Sequence, residues 1–150
     1  MKMLVMNGPN LKLLGKREPE IYGSETLDDI VAKLFDYADG KGVEMISFQS
    51  DVEGELVEQI CKAGRQYDGI IFNPAAYTHT SVALRDAISA CGIPVVEVHL
   101  SNTHKRESFR HVSLTAGVCV GQVMGFGGLG YVLAFDGLLQ IIRTKNGGQN

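Results

Sequence analysis

Several things are scarce in this chain of 150 residues, and each scarcity closes off a class of function. No apolar run approaches the roughly 20 residues that a bilayer-spanning helix needs, so no membrane association is expected. The opening MKMLVMNGPN has one lysine and a very short apolar stretch, which does not make a secretory leader. Positive charge is not in excess. The formal net charge is -3 and the pI about 5.8, whereas a nucleic-acid binder is normally basic. Cysteines stand only at 61, 91 and 119, without CxxC spacing. Neither a disulfide framework nor a zinc knuckle fits, and buried structural thiols in a reducing cytoplasm are expected. The phosphate cradle GxxxxGK[ST], the zinc motif HExxH and the nucleophile elbow GxSxG are all missing. The histidines at 79, 99, 104 and 111 pair with no cysteine at ligand spacing, so no metal is expected.

What is present reads as a single catalytic domain over 1–150, with 45% hydrophobic and 21% charged residues. Short apolar strands are expected at 3–6, 43–48, 69–73, 94–98 and 117–124. Helical stripes run between most of them. Leu27, Ile30, Val31, Leu34, Phe35 and Ala38 form the first, with Ser24 or Thr26 as N-cap and Gly40 and Gly42 as the stop. Leu56, Val57, Ile60 and Cys61 form the second. Ala83, Leu84, Ala87, Ile88 and Cys91 form the third. A last helix is expected over about 128–143, followed by a fraying polar tail over 144–150. Strands alternating with helices imply parallel pairing through right-handed crossovers. The expectation is an α/β, flavodoxin-like three-layer sandwich whose five-stranded parallel sheet has the order 2-1-3-4-5.

Such sheets bind ligands beyond the carboxyl ends of their strands, and the informative residues do follow strands. NGPNLKLLGKREPEIYG, QSDVEGE, NPAAYTHTS and HLSNTHKRESFRH come after the first four. The opening loop is long for a strand-to-helix connection, which usually takes about 2–6 residues. It carries Asn10, Arg17 and Tyr22. A phenol titrates near 10, so making it a base at neutral pH takes about 4 kcal/mol of differential stabilisation, which a nearby arginine can help supply. At the fourth strand, Glu97, His99 and Ser101 share one side if the chain stays extended. A histidine beside a carboxylate is fixed in one tautomer and ready to donate a proton. Arg106 and Arg110 lie four apart and suit an anion. Asn73 offers amide donors and an acceptor, and its loop adds His79. Asp86 reads as an ordinary surface residue. GFGGLG follows the last strand with no second strand and acidic residue after it, so a tight turn with close helix packing is expected.

NGPNLKLLGKREPEIYG, FQSDVEGE, NPAAYTHTSVALRDA and EVHLSNTHKRESFRH together resemble type II 3-dehydroquinate dehydratase, in order, from about residue 3 to 135. The resemblance implies a cytoplasmic homododecamer, a tetramer of trimers, that dehydrates 3-dehydroquinate in the shikimate pathway without cofactor or metal. It implies Tyr22 as the base and Arg17 as the group promoting its phenolate. Asn10 holds a water near the enolate oxygen, and His99 is the acid with Glu97 orienting it. Asn73, His79 and Arg110 contact substrate, Leu100 and Ser101 grip its carboxylate, and Asp86 reaches a neighbouring subunit's site. The chain departs from the usual pattern at Lys12, Asp51, Val52 and Ala75. The last matters if its backbone needs a positive φ. Two other readings remain open on the residues: a non-catalytic binding module for a small anion or nucleotide, and a hydro-lyase of a different cyclic hydroxy-ketone.

Overall fold

A computed structural model describes residues 1–16 and 18–148, with Ile21 and Tyr22 described as backbone only. Five parallel strands, β1 (Lys2–Asn7), β2 (Glu44–Gln49), β3 (Gly69–Asn73), β4 (Val95–His99) and β5 (Gly121–Met124), form one sheet in the order β2-β1-β3-β4-β5. A short turn of helix, α1 (Pro19–Tyr22), precedes four longer helices: α2 (Leu27–Asp39), α3 (Glu53–Ala63), α4 (Val82–Ala90) and α5 (Leu129–Gly147).

Side-chain alternation decides which helix covers which face. Met3, Val5, Ile71, Val96 and Val98 bury against Leu27, Ile30 and Leu34 of α2 and Tyr131, Phe135 and Leu138 of α5. Leu4, Met6, Ile70, Phe72 and Val95 bury against Leu56 and Ile60 of α3 and Leu84 and Ile88 of α4. The result is the expected flavodoxin-like three-layer sandwich. Because both faces are covered, β1, β3 and β4 read as nearly continuous apolar runs. Thr26 caps α2 in a reciprocal box with Asp29, and Ser81 caps α4 by accepting from the Leu84 N–H.

Three details depart from the expectation. β5 begins at Gly121, because Ala116–Val118 form a 3₁₀ turn instead of extending the strand. Cys119 therefore sits outside the sheet, half-buried, and burial with the nearby Glu97 charge pushes its thiol up to about 12. Cys61 is exposed, not buried, because Ala63 faces the sheet where Cys61 was expected to. Finally, α5 continues past 143 to Gly147, where Thr144 Oγ1 donates to the Gln140 carbonyl at 2.9 Å and Lys145 complements the dipole of the last turn.

Candidate active site

The strand ends place the site. Parallel register sets Asn7 beside Gln49 on one side and Asn73 on the other. At the far end of the sheet Glu97 pairs with Gln122 and His99 with Met124. Above this edge lies a cleft of about 500 Å³, lined among others by Asn10, Asn73, His79, His99, Leu100, Ser101, Arg106 and Arg110. Of the expected substrate and catalytic residues, only Arg17 and the side chain of Tyr22 lie outside the described residues, and two more do not line the cleft. Glu97 stands behind His99, and Asp86 is exposed on α4. Glu18 lines the cleft and α1 starts at the next residue, so the backbone bearing Tyr22 sets off from the cleft's edge.

Glu97 and His99 follow strand period and point to the α3/α4 side of β4. Glu97 is completely buried, and its carboxylate is surrounded by donors. His99 Nε2 lies 3.0 Å from its Oε2. Gln122 Nε2 donates to the same oxygen at 2.6 Å, and the Ser113 hydroxyl lies 3.0 Å from it. Thr78 Oγ1 reaches Oε1 at 2.9 Å, and Thr115 also donates there. Burial alone would raise the Glu97 carboxyl. The hydrogen bonds from His99, Thr115 and Thr78 and the charge of His99 outweigh it and hold the group below its ordinary range. An ionised carboxylate only accepts, so the His99 Nε2 nitrogen carries the proton it donates to Glu97. That leaves Nδ1 as the ring nitrogen not engaged by Glu97.

Several other polar groups at the cleft are held by hydrogen bonds. Asn73 Nδ2 donates to the Tyr131 hydroxyl at 2.9 Å, and that hydroxyl donates to Asn7 Oδ1 at 2.6 Å. Asn73 Oδ1 accepts from the Ala75 N–H at 3.0 Å, so the amide is held at both ends. Burial pushes the Tyr131 phenol well up, against the lowering effect of Asn73, so it stays a donor. Ala75 has φ 52, the strained left-handed conformation that its position was suspected of needing. His79 Nδ1 donates to the Val112 carbonyl at 2.8 Å. Arg110 Nε donates to Glu107 at 2.8 Å. Arg106 and Arg110 both reach the cleft, although their segment is two 3₁₀ turns, 103–105 and 108–110, and not one helix face. The GFGGLG turn backs the site. The Gly125 and Gly127 N–H groups donate to the carbonyls of His99 and Leu100, and a Cβ on Gly130 would sit 3.3 Å from Val98.

Sequence reasoning missed Tyr131 and the ring of Thr78, Ser113, Thr115 and Gln122. None stands at a motif spacing from Glu97 or Asn73. Only the fold brings them together. Among the described residues no cluster of His, Cys, Asp or Glu is arranged to hold a metal, and no helix is long and apolar enough to cross a membrane.

A profile of the family described as dehydroquinase class II matches residues 1–139. The chain belongs to the class II dehydroquinase family. It is 52% identical over 146 residues to the 3-dehydroquinate dehydratase of Carboxydothermus hydrogenoformans, covering 97% of this chain and 95% of that one. It is 55% identical to that of Prochlorococcus marinus, covering 99% of both. The crystal structure of a type II dehydroquinase from Butyrivibrio crossotus superposes with a TM-score of 0.90 at 46% identity, covering 92% of this chain and 97% of that one.

Proposed function

We propose that this chain removes water from 3-dehydroquinate to give 3-dehydroshikimate, a step of the shikimate pathway, through an enolate. The observation that carries the reading is the buried Glu97–His99 pair, with His99 at the cleft, in a chain of the class II dehydroquinase family. The departing hydroxyl is β to a ketone. A base takes the proton from the carbon beside the ketone, and its electron pair moves toward the carbonyl oxygen. The enolate then collapses to a carbon–carbon double bond as the hydroxyl leaves, protonated, as water. Glu97 holds the Nε2 proton and stabilises the imidazolium, so Nδ1 is the nitrogen that delivers the proton to the hydroxyl. Tyr22 is the base in this reading, with Arg17 favouring its phenolate. Asn10 serves the enolate oxygen through a water, Leu100 and Ser101 take the carboxylate end, and Asn73, His79 and Arg110 contact the rest of the substrate. Asp86 is exposed on α4 and does not line its own cleft, which suits a residue serving a neighbouring subunit. The resemblance to type II 3-dehydroquinate dehydratase implies assembly of twelve chains as a tetramer of trimers.

The two proton-transfer roles separate experimentally. In deuterium oxide, His99→Gln should lose elimination by at least about a hundredfold, the low end for a general acid. It should still exchange the proton beside the ketone. Tyr22→Phe should lose both while keeping the wild-type circular dichroism. Near-normal turnover of Tyr22→Phe would remove the phenol from the mechanism.

A further inference from the structure

The floor of the cleft is strand, but its rim is loop, and one residue ties three of those loops together. Asp51, in the loop after β2, accepts through Oδ1 from the backbone N–H of Asn10 at 3.0 Å and from Gln49 Nε2 at 3.1 Å. Gln49 Nε2 also donates to the Gly8 carbonyl at 3.1 Å. Asp51 Oδ2 pairs with Lys12 Nζ at 2.6 Å. The Asp51 carbonyl accepts from the Tyr77 hydroxyl at 2.6 Å, and Tyr77 belongs to the 3₁₀ segment 75–79 that carries His79. The loops after β1, β2 and β3 therefore meet on a single carboxylate and its own carbonyl.

Asn10 needs such a seat. Its backbone stands at φ 68, a left-handed conformation that asparagine tolerates but does not prefer over the ordinary regions. Its side chain makes no cap hydrogen bond to hold it. The Lys12 and Asp51 side chains are 57% and 37% exposed, a setting in which an ion pair by itself contributes little. The weight of the seat therefore lies on the Oδ1 acceptor, and Lys12 adds a tether that salt can screen.

We propose that Asp51 is a positioning residue that seats Asn10 at the mouth of the cleft, with Lys12 as a second tether of the same loop. The functional part rests on the dehydratase reading, because Asn10 is the group the seat delivers to the substrate. Amide hydrogen exchange at Asn10 in the free protein reads the seat directly, and kcat with 3-dehydroquinate reads its consequence. Asp51→Ala should speed exchange at Asn10 and lower kcat, each by about tenfold or more, as for a lost hydrogen bond to a charged acceptor. Asp51→Asn keeps the acceptor and should restore kcat to within about threefold of the wild type. Lys12→Met should cost about twofold at low salt and nothing at about 0.5 M salt. It leaves the acceptor intact, so it tests the tether even if Asp51→Ala does not fold. Unchanged Asn10 exchange in Asp51→Ala would overturn the seat. Faster exchange with kcat intact would overturn the positioning role, as would a Lys12→Met loss that salt does not abolish. A wild-type chain inert toward 3-dehydroquinate would sink the dehydratase reading instead, leaving the exchange measurement to decide the seat.

Discussion

At the scale of single residues, the site is built from groups whose freedom has been removed. Asn73 illustrates this, with one end on Tyr131 and the other on Ala75. The arrangement has a cost at Ala75, whose φ of 52 puts its Cβ against the following carbonyl. Glycine relieves a strain of roughly 1–2 kcal/mol there but adds about 0.5–1 kcal/mol of unfolded-state entropy. Ala75→Gly should therefore raise stability by about 0.5–1 kcal/mol, read as a Tm higher by about 2 °C. A lower Tm would mean that the left-handed turn is not strained. The family resemblance marked Ala75 as an odd choice, and position at strand ends on the ligand edge marked His99, Glu97 and Asn73 as candidate site residues. The sequence could not show what fixes them, since Thr115 and Gln122 reach Glu97 only once β5 lies beside β4.

At the scale of elements, helix α5 does more than cover the sheet. Tyr131 sends its hydroxyl between the carboxyl ends of β1 and β3 and links their asparagines. Tyr131→Phe should cost about 1–3 kcal/mol, because two buried amides lose their partner. Equilibrium urea unfolding reads that cost, and KM for 3-dehydroquinate should rise as Asn73 loses its orientation. Unchanged stability together with unchanged KM would show that the link is idle. The periodicity of the sequence placed α2 and α4 closely, since their apolar stripes agree and Thr26, one of two candidates, caps α2. It misplaced the start of β5 because GVCVG is apolar enough to read as strand, while the 3₁₀ turn there follows from Ser113 accepting from the N–H groups of Thr115 and Ala116. It put Cys61 inside because a stripe one residue too wide looks the same as a correct one until the sheet shows which side it covers.

At the scale of the whole molecule, the fold holds a charge inside at a place where it can work. Glu97 is buried, yet it is held below its ordinary value of 4.5 by its hydrogen bonds. A depressed carboxyl favours the folded state above the unfolded value, and that contribution drains away as pH falls through the lower folded value. The Glu97 contribution to Tm should therefore be full and independent of pH near neutrality and should fall below about pH 4.5, where the unfolded state takes up the proton first. In Glu97→Gln this acid-side drop should be shallower, and an identical drop would place the responsible group elsewhere. The alternation of strand and helix made the architecture legible from the sequence, and the loops after the strands made the site edge legible. The hydroxyl ring was hidden because its members are scattered along the chain. The central claim is catalysis at this edge, and one measurement reaches it most directly. Purified protein is added to 3-dehydroquinate in buffer containing a metal chelator, and the ultraviolet absorbance of the product's conjugated enone is followed. The account predicts steady growth of that absorbance, unaffected by the chelator. A flat trace from folded protein would contradict it.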